Sequence, residues 1–318
     1  MGEFELIRKY FVRPDTLSRV PIGDDCAVLT PPPAGVENCF TTDMLVAGRH
    51  FLADVDPESL GHKALAVNLS DLAAMGATPQ AFLLSLGLPA ADEQWLEAFA
   101  RGLFALADAH ACTLIGGDTT RAPITVINIA ALGTVRAGRG ILRSGALPGH
   151  DLWVSGTLGD ASAGLAALQG SNALAPAHRE FCVQRLLRPA PRVALGLALG
   201  GIATSMLDLS DGMAGDLPHI LTASGVAAQV EVRALPLSAA LQTLLFEQAV
   251  KHAVAGGDDY ELLFTAAPDA RDTIAQLQDK IELPLTRIGH IDTGAAHVTW
   301  LQDGVPLAHE FAGFDHFR

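Results

Sequence analysis

The chain has 318 residues and 33.2 kDa, is 49% apolar, and has a mean hydropathy of +0.30. That excludes a long disordered polymer and allows two domains or one large α/β unit. Asp and Glu number 35 against 21 Lys and Arg, a net charge of −14. A general nucleic-acid binder is thereby excluded, and an anionic ligand must be met by local cations or metal ions.

In chain order, residues 3–12 read as a helix with Phe4, Ile7 and Phe11 on one face. The start is charged and amphipathic, unlike a signal peptide. Short apolar strands are predicted at 26–29 and 38–42, a helix over 58–75, and a strand over 81–86. Asp92 caps the next helix, where Leu96, Phe99, Leu103 and Leu106 recur at helical spacing. Strands fit 112–115 and 124–135. The Gly- and Arg-rich stretch 136–151 ends in Leu147-Pro148-Gly149 and marks a boundary. It separates an N-terminal domain, 1–147, from a C-terminal domain, 148–318. The second half gives strands at 152–155, 204–208, 227–232, 261–266, 284–290 and 297–302. Its helices are a Gly-rich start at Gly159-Asp160, then 178–188, 212–224 and 268–279. Alternation in both halves predicts α/β or α+β.

The apolar stretch Val193 to Leu207 is interrupted by glycine and too short to span a bilayer, so no membrane segment is expected. Cys26, Cys39, Cys112 and Cys182 form no Cys-x-x-Cys pair and lie among apolar residues. Reduced, buried thiols and a cytoplasmic setting are expected. Leu69-Ser70-Asp71 echoes Leu209-Ser210-Asp211, and Gly116-Gly117-Asp118 echoes Gly256-Gly257-Asp258, the two motifs being offset by 47 positions in each half. Equal spacing suggests related halves.

Nine aspartates share one context, each beside Gly, Ser or Thr at the edge of an apolar run: Asp24, Asp25, Asp43, Asp71, Asp118, Asp208, Asp211, Asp258 and Asp259. Any one alone reads as a turn or cap residue. As a set at strand ends they would converge on one crevice and repel unless protonated or bridged by cations. Oxygen ligands without Cys select a hard ion, so Mg²⁺ is the expected counter-charge, completed by substrate phosphates. The P-loop and dinucleotide fingerprints are missing. Gly116-Gly117 and Gly256-Gly257 allow close backbone approach to an anion. Arg143 suits either a phosphate oxygen or a solvated surface. His50 by itself reads as a packed or surface histidine, and Phe314 as an anchor for the chain end.

Together these motifs resemble the thiamine-monophosphate kinase family. The resemblance is carried by Ile22-Gly23-Asp24-Asp25-Cys26-Ala27, Thr42-Asp43 through His50-Phe51, the block Lys63 to Ala77, and Leu114 to Arg121. Leu207-Asp208-Leu209-Ser210-Asp211-Gly212, Gly256 to Leu262 and the closing Gly313-Phe314-Asp315-His316-Phe317 extend it over nearly the whole chain. The resemblance implies the two-domain α/β (α+β) fold of the aminoimidazole ribonucleotide synthetase superfamily. Its N-terminal domain dimerises through the sheet, and its C-terminal domain completes a cleft. It implies ATP-dependent phosphorylation of thiamine monophosphate to thiamine diphosphate. Asp25, Thr41, Thr42, Asp43, Asp71, Asp118, Asp208 and Asp211 match its magnesium positions. Gly117, Asp118, Arg143 and Ser210 match ATP contacts, and His50, Asp258 and Phe314 match substrate contacts. Family members often carry Glu at position 258, and Tyr or Trp at 314. The alternatives are a sister ATP-dependent enzyme, a metal-dependent phosphatase, or a non-catalytic thiamine phosphate binder. A reactive Cys in a Gly-rich N-terminal loop and a C-terminal Cys, which two sister activities require, are both missing.

Overall fold

A computed structural model describes residues 3–14, 16–20, 22, 26–308 and 311–313. Asp24, Asp25 and Phe314 lie outside the described residues. The chain forms two compact units, one of residues 1–72 and 77–138, the other of 73–76 and 139–318.

The first unit opens with helix α1 (Glu3–Tyr10) and the short antiparallel pair β1 (Ser18–Val20) and β2 (Val28–Leu29). Then follow β3 (Val36–Val46), α2 (Pro57–Ala74), β4 (Thr78–Leu88), α3 (Glu93–Ala109), β5 (Thr113–Arg121) and β6 (Val126–Arg136). The last four strands named form one sheet in the order β3-β6-β4-β5. The parallel pair β4–β5 is joined through α3, the crossover that parallel strands require. Asp92 caps α3 as the sequence predicts, its side chain accepting from the N–H groups of Gln94 and Trp95. Gly61 and Gly102 let α2 and α3 touch: a Cβ on Gly102 would stand 1.8 Å from the Glu58 carbonyl oxygen.

Strand alternation divides the side chains of β3 between the two faces of the sheet. Thr41, Asp43 and Leu45 point one way; Phe40, Thr42 and Met44 point the other and are exposed. Phe40 pairs with Leu132 and Met44 with Asn128, and the exposed Leu83 on β4 pairs with Ala130. Phe40, Met44 and Leu83 therefore share one face of the sheet, with exposures of 74%, 54% and 42%.

The second unit contains β7 (Asp151–Ser155), α4 (Asp160–Leu168), α5 (Pro176–Leu187), α6 (Val193–Ala198), β8 (Ser205–Asp208) and α7 (Met213–Ser224). It continues with β9 (Ala227–Glu231), α8 (Phe246–Ala255), β10 (Leu262–Ala266), α9 (Arg271–Ile281), β11 (Leu285–Asp292), β12 (Val298–Gln302) and β13 (Val305–Pro306). Its strands form one sheet in the order β13-β12-β9-β11-β7-β10-β8, antiparallel except for β9–β12. Leu152 and Val154 from β7, Leu207 from β8 and Leu217, Ile220 and Leu221 from α7 share its core. Each fully buried aliphatic side chain contributes about 1.5–3 kcal/mol.

Three expectations are corrected. Helices α6 and α8 occupy stretches where the sequence predicts none. In α6 the glycine that reads as an interruption is a contact residue, since a Cβ on Gly196 would lie 2.0 Å from the Ala73 carbonyl oxygen. The cysteines are free, as expected, but Cys26 is exposed and Cys39 half-buried; only Cys112 and Cys182 are buried. Burial pushes each of those two thiols up to about 12. The internal echo is not structural. Ser70-Asp71 lies inside α2, whereas Ser210-Asp211 lies in the loop from β8 to α7. Gly116-Gly117-Asp118 is part of β5, whereas Gly256-Gly257-Asp258 leads from α8 towards β10.

Candidate active site

In the first unit β3 and α2 bring three of the expected residues together. The Thr41 hydroxyl donates to the Asp71 carboxylate. Asp43 shares the face of Thr41, and its carboxyl is pushed up to about 7, first by burial and then by the negative charge of Asp71. Asn68, fully buried on α2 one turn before Asp71, holds the pair in register. Its Oδ1 accepts from the Asp43 N–H at 3.1 Å, and its Nδ2 donates to the Ala64 carbonyl at 3.1 Å. An amide in an otherwise apolar helical stretch is the signal that marks it.

Thr42 points to the opposite face. Its hydroxyl donates to the Ile129 carbonyl at 3.0 Å and accepts from Asn128 Nδ2 at 3.0 Å. Asp118 and Gly117 are exposed on β5, at the other edge of the sheet from β3. Asp43 aligns with Ile129, Ile129 with Leu84, and Leu84 with Gly117. Three strand spacings put β3 and β5 about 14 Å apart, too far for one ion to bridge Asp118 and Asp43 in one chain. Gly117 has φ +149°, and a Cβ there would meet the Leu84 carbonyl oxygen at 1.8 Å, so only glycine fits. His50 closes a turn after β3. Its Nδ1 accepts from the Val46 N–H at 3.0 Å, which places the proton of the neutral ring on Nε2.

In the second unit Asp208 ends β8, and Ser210 and Asp211 follow in the loop before α7. Asp216, buried in the first turns of α7, accepts from the backbone N–H of both Ser210 and Asp211 at 3.0 Å through one carboxylate oxygen. Burial pushes its carboxyl up to about 7 against the pull of those two donors, and Arg143 is near enough to lower it. Sequence reading missed Asp216 because it sits one helical turn inside an element that reads as apolar.

The segment 256–261 lies against that loop. The Asp258 N–H donates to the Ser210 carbonyl at 2.9 Å, and the Tyr260 N–H to the Leu209 carbonyl at 2.8 Å. Asp258 and Tyr260 both have positive φ, +67° and +51°. Left-handed backbone at a non-glycine residue costs of order 1–3 kcal/mol and persists where the surroundings over-determine it. Here they do: fully buried Glu261 accepts from Arg185 at 2.7 Å, Arg192 Nε at 2.7 Å and the Ser155 hydroxyl at 2.5 Å. Asp259 accepts from the Gly159 N–H at 2.7 Å, and complete burial raises its carboxyl well above the usual range.

The donors in both units are hard oxygens: carboxylates and a threonine hydroxyl. That set fits Mg²⁺. Among the described residues no group of three or more His, Cys, Asp or Glu stands close enough to hold an ion by itself. This is usual for magnesium, which keeps waters and substrate phosphates in its shell.

Comparison with known proteins places these halves. Residues 23–135 match the family "AIR synthase related protein, N-terminal domain", and residues 148–300 match "AIR synthase related protein, C-terminal domain". The chain is therefore a two-domain member of the AIR synthase related class. A thiamine-monophosphate kinase of Salmonella typhimurium is 46% identical to it over 99% of this chain and 98% of that one. The crystal structure of the thiamine-monophosphate kinase of Stenotrophomonas maltophilia superposes with a TM-score of 0.85 at 47% identity, covering 92% of this chain and 93% of that one. The structure of AaThiL complexed with AMPPCP and TMP gives 0.77 at 31% identity, covering 94% and 93%. Within the class, the chain belongs to the thiamine-monophosphate kinase family.

Asp43 contributes one part of the pH dependence of stability. Its native pKa of about 7 lies above the unfolded value of 3.8. The unfolded chain therefore gives up this proton first, and stability falls as pH rises through that window. In EDTA, urea unfolding at pH 5 and pH 8 should show the wild type losing about 2–3 kcal/mol more than Asp43→Asn. Equal losses would show that Asp43 ionises freely in the folded chain.

Proposed function

We propose that this chain transfers the γ-phosphoryl group of ATP to thiamine monophosphate, giving thiamine diphosphate and ADP. The observation that carries the reading is end-to-end likeness to thiamine-monophosphate kinases, one of them solved with an ATP analogue and TMP. The residue chemistry supports it. The attacking oxygen belongs to a phosphate monoester, largely ionised at neutral pH because its second pKa is about 6. It needs no strong side-chain base. It attacks the γ-phosphorus, the bond to the β–γ bridging oxygen breaks, and ADP leaves with that electron pair. The difficulty is to bring two anions together and hold them in line.

Asp43, Asp71 and the Thr41 hydroxyl would hold Mg²⁺ in the first unit, and Asp208 and Asp211 in the second, with Asp25 contributing; the Thr42 side chain, expected in this set, faces the other side of the sheet and is left out of it. When bound, the ion neutralises phosphate oxygens and stabilises charge in the transition state. Gly117, Asp118, Arg143 and Ser210 meet ATP. His50, Asp258 and Phe314 meet thiamine monophosphate; an aromatic ring such as that of Phe314 suits the cationic thiazolium. The setting of the reaction is the cytoplasm. Among the described residues no helix is long and apolar enough to cross a membrane.

The decisive assay supplies ATP, Mg²⁺ and thiamine monophosphate and follows ADP and thiamine diphosphate. Stoichiometric formation of both is expected, with EDTA stopping it and Asp71→Asn lowering kcat by roughly a hundredfold or more. Release of inorganic phosphate without diphosphate would mean a phosphatase, and binding without turnover a sensor.

We further propose a two-fold dimer through the first unit's sheet. The exposed Phe40, Met44 and Leu83 on one sheet face support it, because monomers rarely leave contiguous large apolar groups in water. The separation of Asp118 from Asp43 supports it too, since a second copy lets opposite sheet edges serve one reaction. Sedimentation equilibrium at micromolar concentration should give a dimer, shifted towards monomer by Phe40→Glu with Met44→Glu. A wild-type monomer would contradict the arrangement.

A further inference from the structure

Tyr260 is the second left-handed residue of the segment that carries Asp258, and its side chain turns back onto that residue. The Tyr260 hydroxyl donates to Asp258 Oδ1 at 3.0 Å. Its ring is buried, 8% exposed. Burial would be served equally well by a phenyl ring, so packing accounts for the ring and not for the hydroxyl. Left-handed backbone at both residues, φ +67° and +51°, sends Asp259 away from the pair. Asp259 binds inward to the Gly159 N–H, while Asp258 and Tyr260 meet each other. The backbone under the pair is pinned by the N–H groups of Asp258 and Tyr260 on the carbonyls of Ser210 and Leu209. Behind it, Glu261 is fixed by Arg185, Arg192 and Ser155. A rigid backbone leaves the Asp258 side-chain torsions as the remaining freedom, and a hydrogen bond to one carboxylate oxygen removes it.

We propose that Tyr260 is a positioning residue for substrate selection. Its hydroxyl holds the Asp258 carboxylate in the rotamer that accepts a hydrogen bond from the amino group of the aminopyrimidine ring of thiamine monophosphate. The proposal rests on the reading of Asp258 as a substrate contact. No proton changes owner; the hydroxyl donates throughout, and the carboxylate stays an acceptor. The contact so proposed is with the aminopyrimidine ring and not with the phosphoryl group that moves, so its effect is on binding of one substrate and not on the chemical step.

The test is a double-mutant cycle with Tyr260→Phe, Asp258→Ala and the double variant, each read as kcat and both KM values, with thiamine monophosphate affinity checked by calorimetry. Tyr260→Phe keeps the buried ring and should raise KM for thiamine monophosphate about tenfold, the size of one hydrogen bond to a charged group. Its kcat and KM for ATP should stay within about twofold. In the Asp258→Ala background the same change should add nothing. A Tyr260→Phe variant with unchanged KM, or one whose effect persists undiminished without Asp258, overturns the proposal while leaving Asp258 in place. If Asp258→Ala itself leaves KM unchanged, the reading beneath falls and the proposal with it. A general structural role for the hydroxyl would lower kcat and weaken ATP together, and that outcome also overturns it.

Discussion

The arrangement of the first unit depends on one unfavourable contact, the approach of half-buried Asp43 to Asp71. Two carboxylates brought together at a half-buried site repel, and the structure meets this in two ways. Asp43 holds its proton to about pH 7, and Asp71 takes a hydrogen bond from Thr41. Asn68 then locks the Asp43 backbone to α2, so the pair cannot relax apart. Such a pair is a poor choice for stability and a good one for a protein whose ligands arrive as anions with a counter-ion. On the proposed function, a cation held by this pair would let a chain with net charge −14 handle phosphates without a run of lysines.

The second unit solves a different problem, that of holding irregular backbone still. The loop after β8 and the segment after α8 have no ladder of their own. They bond to each other, and each is tied to a buried acid: Asp216 under Ser210 and Asp211, Glu261 beneath Tyr260 with two arginines and a serine. Buried carboxylates stay charged only when fully partnered. Glu261 is hydrogen-bonded by two arginines and a serine, and burial raises the carboxyl of Asp259 beside it. Local strain at Asp258 and Tyr260 is thereby held in place by the bonds around it.

Much of the fold is legible from local pattern. Asp92 announces α3 through its cap, and the spacing of Leu96, Phe99, Leu103 and Leu106 records its burial on one side; α2, buried on nearly every face, is legible as an apolar-rich run and not as a period. Helix α6 is missed because Gly196 reads as a breaker, although its role is to admit the Ala73 backbone. The paired Ser-Asp and Gly-Gly-Asp motifs suggest a duplication that the structure does not contain, since short turn motifs recur in helices, strands and loops alike. Among candidate residues, aspartates at the ends of apolar runs are visible in sequence. Asp216 and Tyr260 are not, because their role lies in a hydrogen bond to a neighbour and leaves no spacing. The separation of Asp118 from Asp43 is likewise invisible before the order of strands is known.

The central claim is that the Asp43–Asp71 pair gives up a proton to receive a cation. Calorimetric titration with Mg²⁺ and ATP at pH 7, repeated in buffers of different ionisation enthalpy, measures that proton directly. The account predicts release of about half a proton from the wild type, as expected for a group with a pKa of about 7. It predicts none of that component at pH 9 or in Asp43→Asn. Cation binding at pH 7 with proton release identical in wild type and Asp43→Asn would contradict it.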